Sequence, residues 1–137
     1  MNVQFNFPLR QHNTFGMDVL CSRFIQLDDV SEIATLDKAD VFDSQHYILG
    51  EGSNTLFTKF YQGTIIHPAF KGIEIIEDNS DDVLIKAAAG EAWSSLMDFC
   101  RTHQLYGIEN LVGIPGLVGS SPVPIFLNLH LQTRAFR

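Results

Sequence analysis

The chain has 137 residues, 45% of them hydrophobic, with 9 Lys and Arg against 16 Asp and Glu and a formal net charge of −7. Its length suits one domain with a real core, and the acidic balance argues against nucleic acid as a partner, because phosphate-backbone binding needs clustered Lys and Arg. No apolar run reaches the roughly 18 residues of a membrane helix, the N-terminal stretch is too polar for a signal peptide, and Cys21 and Cys100 form neither a CxxC pair nor a framework. A soluble cytoplasmic chain with no membrane partner is therefore expected.

In chain order, residues 22–27 (SRFIQL) read as a strand. Asp29 and Glu32 then stand at capping-box spacing before a helical face of Val30, Ile33 and Leu36. HYILG (46–50), GTIIH (63–67) and GIEIIE (72–77) are three further strands, and EDNSDD is a turn by composition. VLIKAAAG (83–90) is a strand ended by glycine, after which Trp93, Leu96, Met97 and Cys100 trace one face of a helix of about three turns. This order predicts an α+β fold, or a mixed sheet, rather than a doubly wound parallel one.

Two glycine-rich segments carry the candidate chemistry. The first, Leu49-Gly50-Glu51-Gly52-Ser53-Asn54-Thr55, closes a strand. Successive backbone amides in a glycine-permitted turn make a concave anion site, to which Ser53 and Asn54 can add donors. It is not a dinucleotide fingerprint, since Thr55 stands where a third glycine is required, and it lacks the Gly-Lys-Ser/Thr of a Walker loop. An ordinary strand-end turn remains the alternative, and Glu51 is either a solvated turn residue or a hydrogen-bond acceptor. The second segment, residues 113–122, holds Gly113, Gly116 and Gly119 among the apolar Ile114, Leu117 and Val118. Such density means backbone packed against backbone or against a flat ligand.

The remaining reactive side chains read as structural. Cys100 is a core thiol and Trp93 a core anchor. Glu109 and Asn110 cap backbone amides before the second segment. The five histidines, His12, His46, His67, His103 and His130, lack metal-site spacing, so no metal is expected.

Taken together, NTFG (13–16), LGEGSN (49–54), AGEAW (89–93) and GIENLVGIPGLVGSSP (107–122) resemble the amino-terminal part of the UDP-N-acetylenolpyruvoylglucosamine reductase family. The resemblance runs from about Asn13 to Pro122. It implies a vanillyl-alcohol-oxidase-type (PCMH-type) FAD-binding domain, with the first subdomain and part of the second present in residues 1–122. Gly50, Glu51, Gly52, Ser53 and Asn54 would hold the FAD pyrophosphate, flanked by Leu49 and Thr55. Ile114, Pro115, Gly116, Gly119, Ser120 and Ser121 would run along the cofactor toward the flavin. The activity implied is NADPH-linked reduction of a nucleotide-sugar enolpyruvate to UDP-N-acetylmuramate, with FAD carrying the hydride. A different oxidase of the same flavoprotein type fits the GIENLVGIPG and VGSSP stretches less well.

After Pro122 the resemblance stops. Residues 123–137 (VPIFLNLHLQTRAFR) hold two Arg, no acid and no glycine, whereas residues 1–122 hold seven Lys and Arg against sixteen acids, a balance of −9. The family's Gln-Asn-Ile-Gly-Ala-Tyr-Gly-like run has no counterpart, nor do its catalytic Arg, Ser and Glu, so no catalytic residue is assigned. The expectation is a truncated or frameshifted product with a non-family tail, inactive alone, marginally folded, self-associating and weak for FAD. A non-catalytic FAD- or nucleotide-binding module, or an inactive remnant, is the alternative.

Overall fold

The computed structural model describes residues 1–37, 40–79, 81–121 and 135–136. The chain divides into two compact units, Met1–Phe70 and Lys71–Arg137. Most of the tail at 123–137, with its expected non-family character, lies outside the described residues.

The first unit is built on a mixed four-stranded sheet in the order β1-β2-β4-β3. Its strands are β1 (Asn2–Pro8), β2 (Leu20–Leu27), β3 (His46–Ile48) and β4 (Tyr61–Pro68). β1 runs antiparallel to β2, with Asn2 opposite Gln26 and Pro8 opposite Leu20. β4 lies between β2 and β3 and is parallel to both, with Ile65 opposite Phe24 and Tyr47. Gly63, Thr64, Ile65 and Ile66 are buried in succession, the signature of a strand covered on both faces.

Side-chain alternation sorts the core into two layers. Leu9, Cys21, Phe24, Leu49, Phe57 and Ile65 pack together on one side. Ile25, Leu27, Leu36, Val41 and Ile66 form the other cluster, with Phe70 against it. The expected capping box at Asp29 and Glu32 is present and opens a single 3-10 turn, Val30–Glu32, that runs into the short helix α1 (Ile33–Leu36). Of the three apolar residues expected on its face only Leu36 is buried, while Val30 and Ile33 are exposed. One turn of helix is too short to present a full apolar stripe.

β1 is the strand that sequence reading missed. Val3 and Phe5 alternate with polar residues, yet both are exposed, and Phe7 is the residue that turns inward to stack on Phe24 at 4.1 Å. The strand exists because β2 offers it a hydrogen-bonding edge, which hydropathy does not report.

The second unit pairs a three-stranded antiparallel sheet, β5 (Ile73–Asp78), β6 (Asp82–Ala87) and β7 (Ala135–Phe136), with helix α2 (Trp93–Thr102). The expected acidic turn is shorter than its composition suggested, because β5 runs on to Asp78 and Asn79 N donates to Asp82 O at 2.9 Å. A bulge between Ile75 and Glu77 shifts the β5–β6 register. On α2, Trp93, Met97 and Cys100 are buried as their spacing predicts, and they pack with Val83, Leu105, Ile108 and Leu111. Trp93 Nε1 donates to the Leu111 carbonyl at 2.8 Å, so the indole anchors the core and satisfies its one polar atom. The fold class is α+β, as expected.

Phe24 is fully buried and carries the stack with Phe7. Phe24→Ala is expected to destabilise the first unit by roughly 3–5 kcal/mol in urea unfolding. A loss under about 1 kcal/mol would show that this core is organised around other residues.

Candidate functional site: a backbone-lined loop

Adjacent parallel strands cannot be joined by a hairpin and need a crossover of about a dozen residues. Residues 49–60 are that crossover between β3 and β4. No helix fills it, so its first half, Gly50–Asn54, leaves the carboxyl end of β3 as a free-standing loop. Carboxyl ends of strands in such sheets are where ligands bind.

Contacts at three points fix this loop. At its entry, Leu49 N donates to the Ile66 carbonyl at 2.9 Å, and the Leu49 side chain is fully buried. The Leu49 carbonyl accepts from His67 Nδ1 at 2.9 Å, which places a proton on that nitrogen. At its exit, Tyr47 Oη and Thr55 Oγ1 share a hydrogen bond at 3.2 Å.

The third contact is at the apex. Gly52 is buried with φ +67°, and a Cβ added there would meet the His12 carbonyl oxygen at 2.2 Å and Asn13 Cα at 2.9 Å. Glycine is therefore required twice over, for its left-handed backbone and for a close approach to a second chain segment. That segment is the turn after β1. Asn13, only 5% exposed, clamps it by donating from Nδ2 to the carbonyls of Leu9 (2.7 Å) and Met17 (3.2 Å) and accepting at Oδ1 from Met17 N (2.9 Å).

The donor set fits a phosphate group. Gly50–Asn54 hold one acid and no base, Glu51 and Asn54 are exposed, and Ser53 is half-buried. An anion held here would rest on backbone amides and the short polar side chains, which hold phosphate without positive charge. The exposure of Glu51 matches the solvated alternative.

Beneath the loop, His12 and His67 meet edge to face at 5.1 Å, both against Phe24. Burial, and secondarily the neighbouring His67, hold the His12 pKa below its ordinary value. Neither histidine nor the Asn13–Thr14 turn had been read from spacing as part of a site. The contacts span tens of residues, so no local signal could have found them.

In the second unit the glycine segment docks on the AGEAW stretch. Trp93 N donates to Gly116 O (2.9 Å), Val118 N to Glu91 O (2.8 Å) and Gly119 N to Ala89 O (2.9 Å). A Cβ at Gly119 would lie 2.6 Å from that of Ala89. Of the two explanations for this glycine density, backbone packing accounts for Gly119. Gly113 and Gly116 have φ of +86° and +129°, so their glycines serve conformation. Ser120 and Ser121 donate to Leu117 O (2.9 Å) and Val118 O (2.7 Å), while Ile114 is half-buried and Pro115 exposed. Glu109 accepts from the Gly107 amide, the capping expected of it. Cys100 is buried and its thiol pKa is pushed up by that burial, as for a core residue. Among the described residues no helix is long and apolar enough to cross a membrane.

Residues 22–124 match the family described as FAD binding domain. The chain belongs to that FAD-binding family. Its relatives carry a common name: it is 40% identical over 121 residues to the UDP-N-acetylenolpyruvoylglucosamine reductase of Bacteroides fragilis, covering 88% of this chain and 36% of that protein. The enzymes of that name from Pseudoalteromonas atlantica (42% over 120 residues, 84% and 33% covered) and Chromobacterium violaceum (40% over 126 residues, 90% and 37% covered) are similar. The chain thus spans little more than a third of the length of the curated relatives it matches. The crystal structure of the Thermus caldophilus enzyme of that name shares the fold, with a TM-score of 0.61 at 20% identity, covering 88% of this chain and 40% of that one.

Two outcomes follow from the loop geometry. Gly52→Ala is expected to cost at least about 2 kcal/mol in urea unfolding, since strained φ and backbone overlap add. Gly16→Ala, at φ +63° with nothing within 4 Å of the added Cβ, should cost only about 1–2 kcal/mol; equal losses would show that the approach to His12 and Asn13 relaxes freely. The second outcome concerns His12. A histidine whose pKa is lowered by folding binds fewer protons native than unfolded, so its stabilisation is complete above about pH 6.5 and is lost as pH falls toward the folded value. Thermal melts from about pH 8 to about pH 5 should show that decline, and His12→Phe should flatten it.

Proposed function

We propose that this chain is the FAD-binding portion of a UDP-N-acetylenolpyruvoylglucosamine reductase. The observation that carries the reading is the Gly50–Asn54 loop at the carboxyl end of β3, within a chain 40% identical to a reductase of that name over 88% of its length. The whole enzyme would use NADPH to reduce the enolpyruvyl group of the nucleotide sugar to UDP-N-acetylmuramate. It would serve cytoplasmic peptidoglycan precursor synthesis, and through it cell wall biogenesis, cell shape and cell division.

In this reading Gly50, Glu51, Gly52, Ser53 and Asn54, with Leu49 and Thr55 at either side, hold the pyrophosphate through backbone amides and short side chains. Ile114, Pro115, Gly116, Gly119, Ser120 and Ser121 follow the cofactor toward its flavin. When bound, FAD supplies the hydride-carrying chemistry, and the protein supplies binding and orientation. Residues 1–122 are taken as the family portion and 123–137 as the part that departs from it. No residue of this chain matches the family's proton donor or its catalytic Arg and Glu, so turnover is assigned to residues this chain lacks.

Titration of the purified chain with FAD, followed by flavin fluorescence, tests the reading. Saturable quenching that Gly52→Ala abolishes is expected, with the flavin largely lost on desalting. No quenching, or quenching indifferent to Gly52→Ala, would remove the loop from the site. The same preparation should not oxidise NADPH in the presence of the enolpyruvyl nucleotide sugar, and turnover would overturn the placement of catalysis outside this chain.

A further inference from the structure

Within the NTFG stretch (13–16), Asn13 clamps the turn after β1, and Thr14 is the residue that reaches across to the loop. Its place in the fold assigns it a task. Thr14 N lies 3.4 Å from the Gly52 carbonyl oxygen, and Thr14 Oγ1 lies 3.5 Å from the same oxygen and 3.4 Å from that of Ser53. Each contact is long and individually weak. They act together with the seating of the His12 carbonyl against Gly52, where no Cβ could fit.

Peptide geometry turns these contacts into an orientation. In a planar trans peptide the C=O and the following N–H point in opposite directions. A Gly52 carbonyl directed at Thr14 aims the Ser53 N–H away from Thr14. A Ser53 carbonyl directed at Thr14 does the same for the Asn54 N–H. The two carbonyl oxygens, which would repel an anion, are turned back onto the turn, and the two amides, which would attract one, face the other way.

We propose that the Asn13–Thr14 turn is the strut that sets the peptide planes of the loop, so that Thr14 is a positioning residue for the FAD phosphates. Asn13 holds the strut rigid through its three hydrogen bonds, and the Thr14 hydroxyl transmits that rigidity to Gly52 and Ser53. The inference rests on the phosphate reading of Gly50–Asn54 and adds to it a residue 39 positions away from Ser53.

Thr14→Val tests it, because Thr14 is exposed and the substitution keeps the side-chain shape while removing only the hydroxyl. Two measurements are made on the whole chain: amide hydrogen exchange, and equilibrium FAD titration by flavin fluorescence. The Thr55 amide, which donates to the Gly52 carbonyl at 3.4 Å, should exchange faster in Thr14→Val, with those of Thr64, Ile65 and Ile66 unchanged. FAD affinity should fall roughly 3- to 10-fold, the range one neutral hydrogen bond supplies. Thr14→Ser, which restores the hydroxyl, should recover both. Unchanged exchange at Thr55 would overturn the strut. Faster exchange with unchanged FAD affinity would overturn its role toward the phosphates and leave the loop reading standing. Wild-type protein that binds no FAD would sink the loop reading and this inference with it.

Discussion

A single backbone contact, the carbonyl of His12 and the Cα of Asn13 against Gly52, holds the loop after β3 against the turn after β1. It joins the turn after β1 to the crossover between β3 and β4, two segments with no sheet hydrogen bonds in common. A methyl group at Gly52 would separate them. The loop is thus defined by what presses on it from behind, and its open side is left to amides and short polar side chains.

The second unit uses the same device. Gly119 lies against Ala89 as Gly52 lies against His12, and three backbone hydrogen bonds tie residues 116–119 to residues 89–93. In both units a loop that would otherwise leave buried polar backbone unsatisfied finds partners in another loop. Glycine permits the closest of these approaches, because a Cβ at Gly52 or Gly119 would overlap the facing chain. Four motifs scattered along the sequence therefore become two docked pairs, each within its own unit.

Under the proposed reading, this construction would reconcile an acidic chain with an anionic cofactor. The first 122 residues carry a balance of −9, and Gly50–Asn54 contain no base. Oriented peptide dipoles act at short range and leave net charge out of the matter. Their orientation must then come from structure, which is why the aromatic and histidine stack of Phe7, His12, Phe24 and His67 lies directly beneath. His67 holds the Leu49 carbonyl from that stack, so core and loop are continuous.

Much of this was legible in residue order. The apolar runs at 22–27 and 63–67 mark strands, the Asp29–Glu32 box marks a helical start, and the spacing of Trp93, Met97 and Cys100 marks α2, because each signal is local and lies within reach of one turn or one pleat. The two glycine segments were visible as unusual, and their order with NTFG and AGEAW carried the resemblance. What local pattern could not supply was β1, whose Val3 and Phe5 face outward and whose existence depends on the edge of β2. Nor could it show that Gly52 answers to His12 and Gly119 to Ala89, or that His67 reaches back to Leu49. Those contacts join residues 18 to 40 positions apart, and chain folding creates them by bringing together backbone that has no periodic signature of its own.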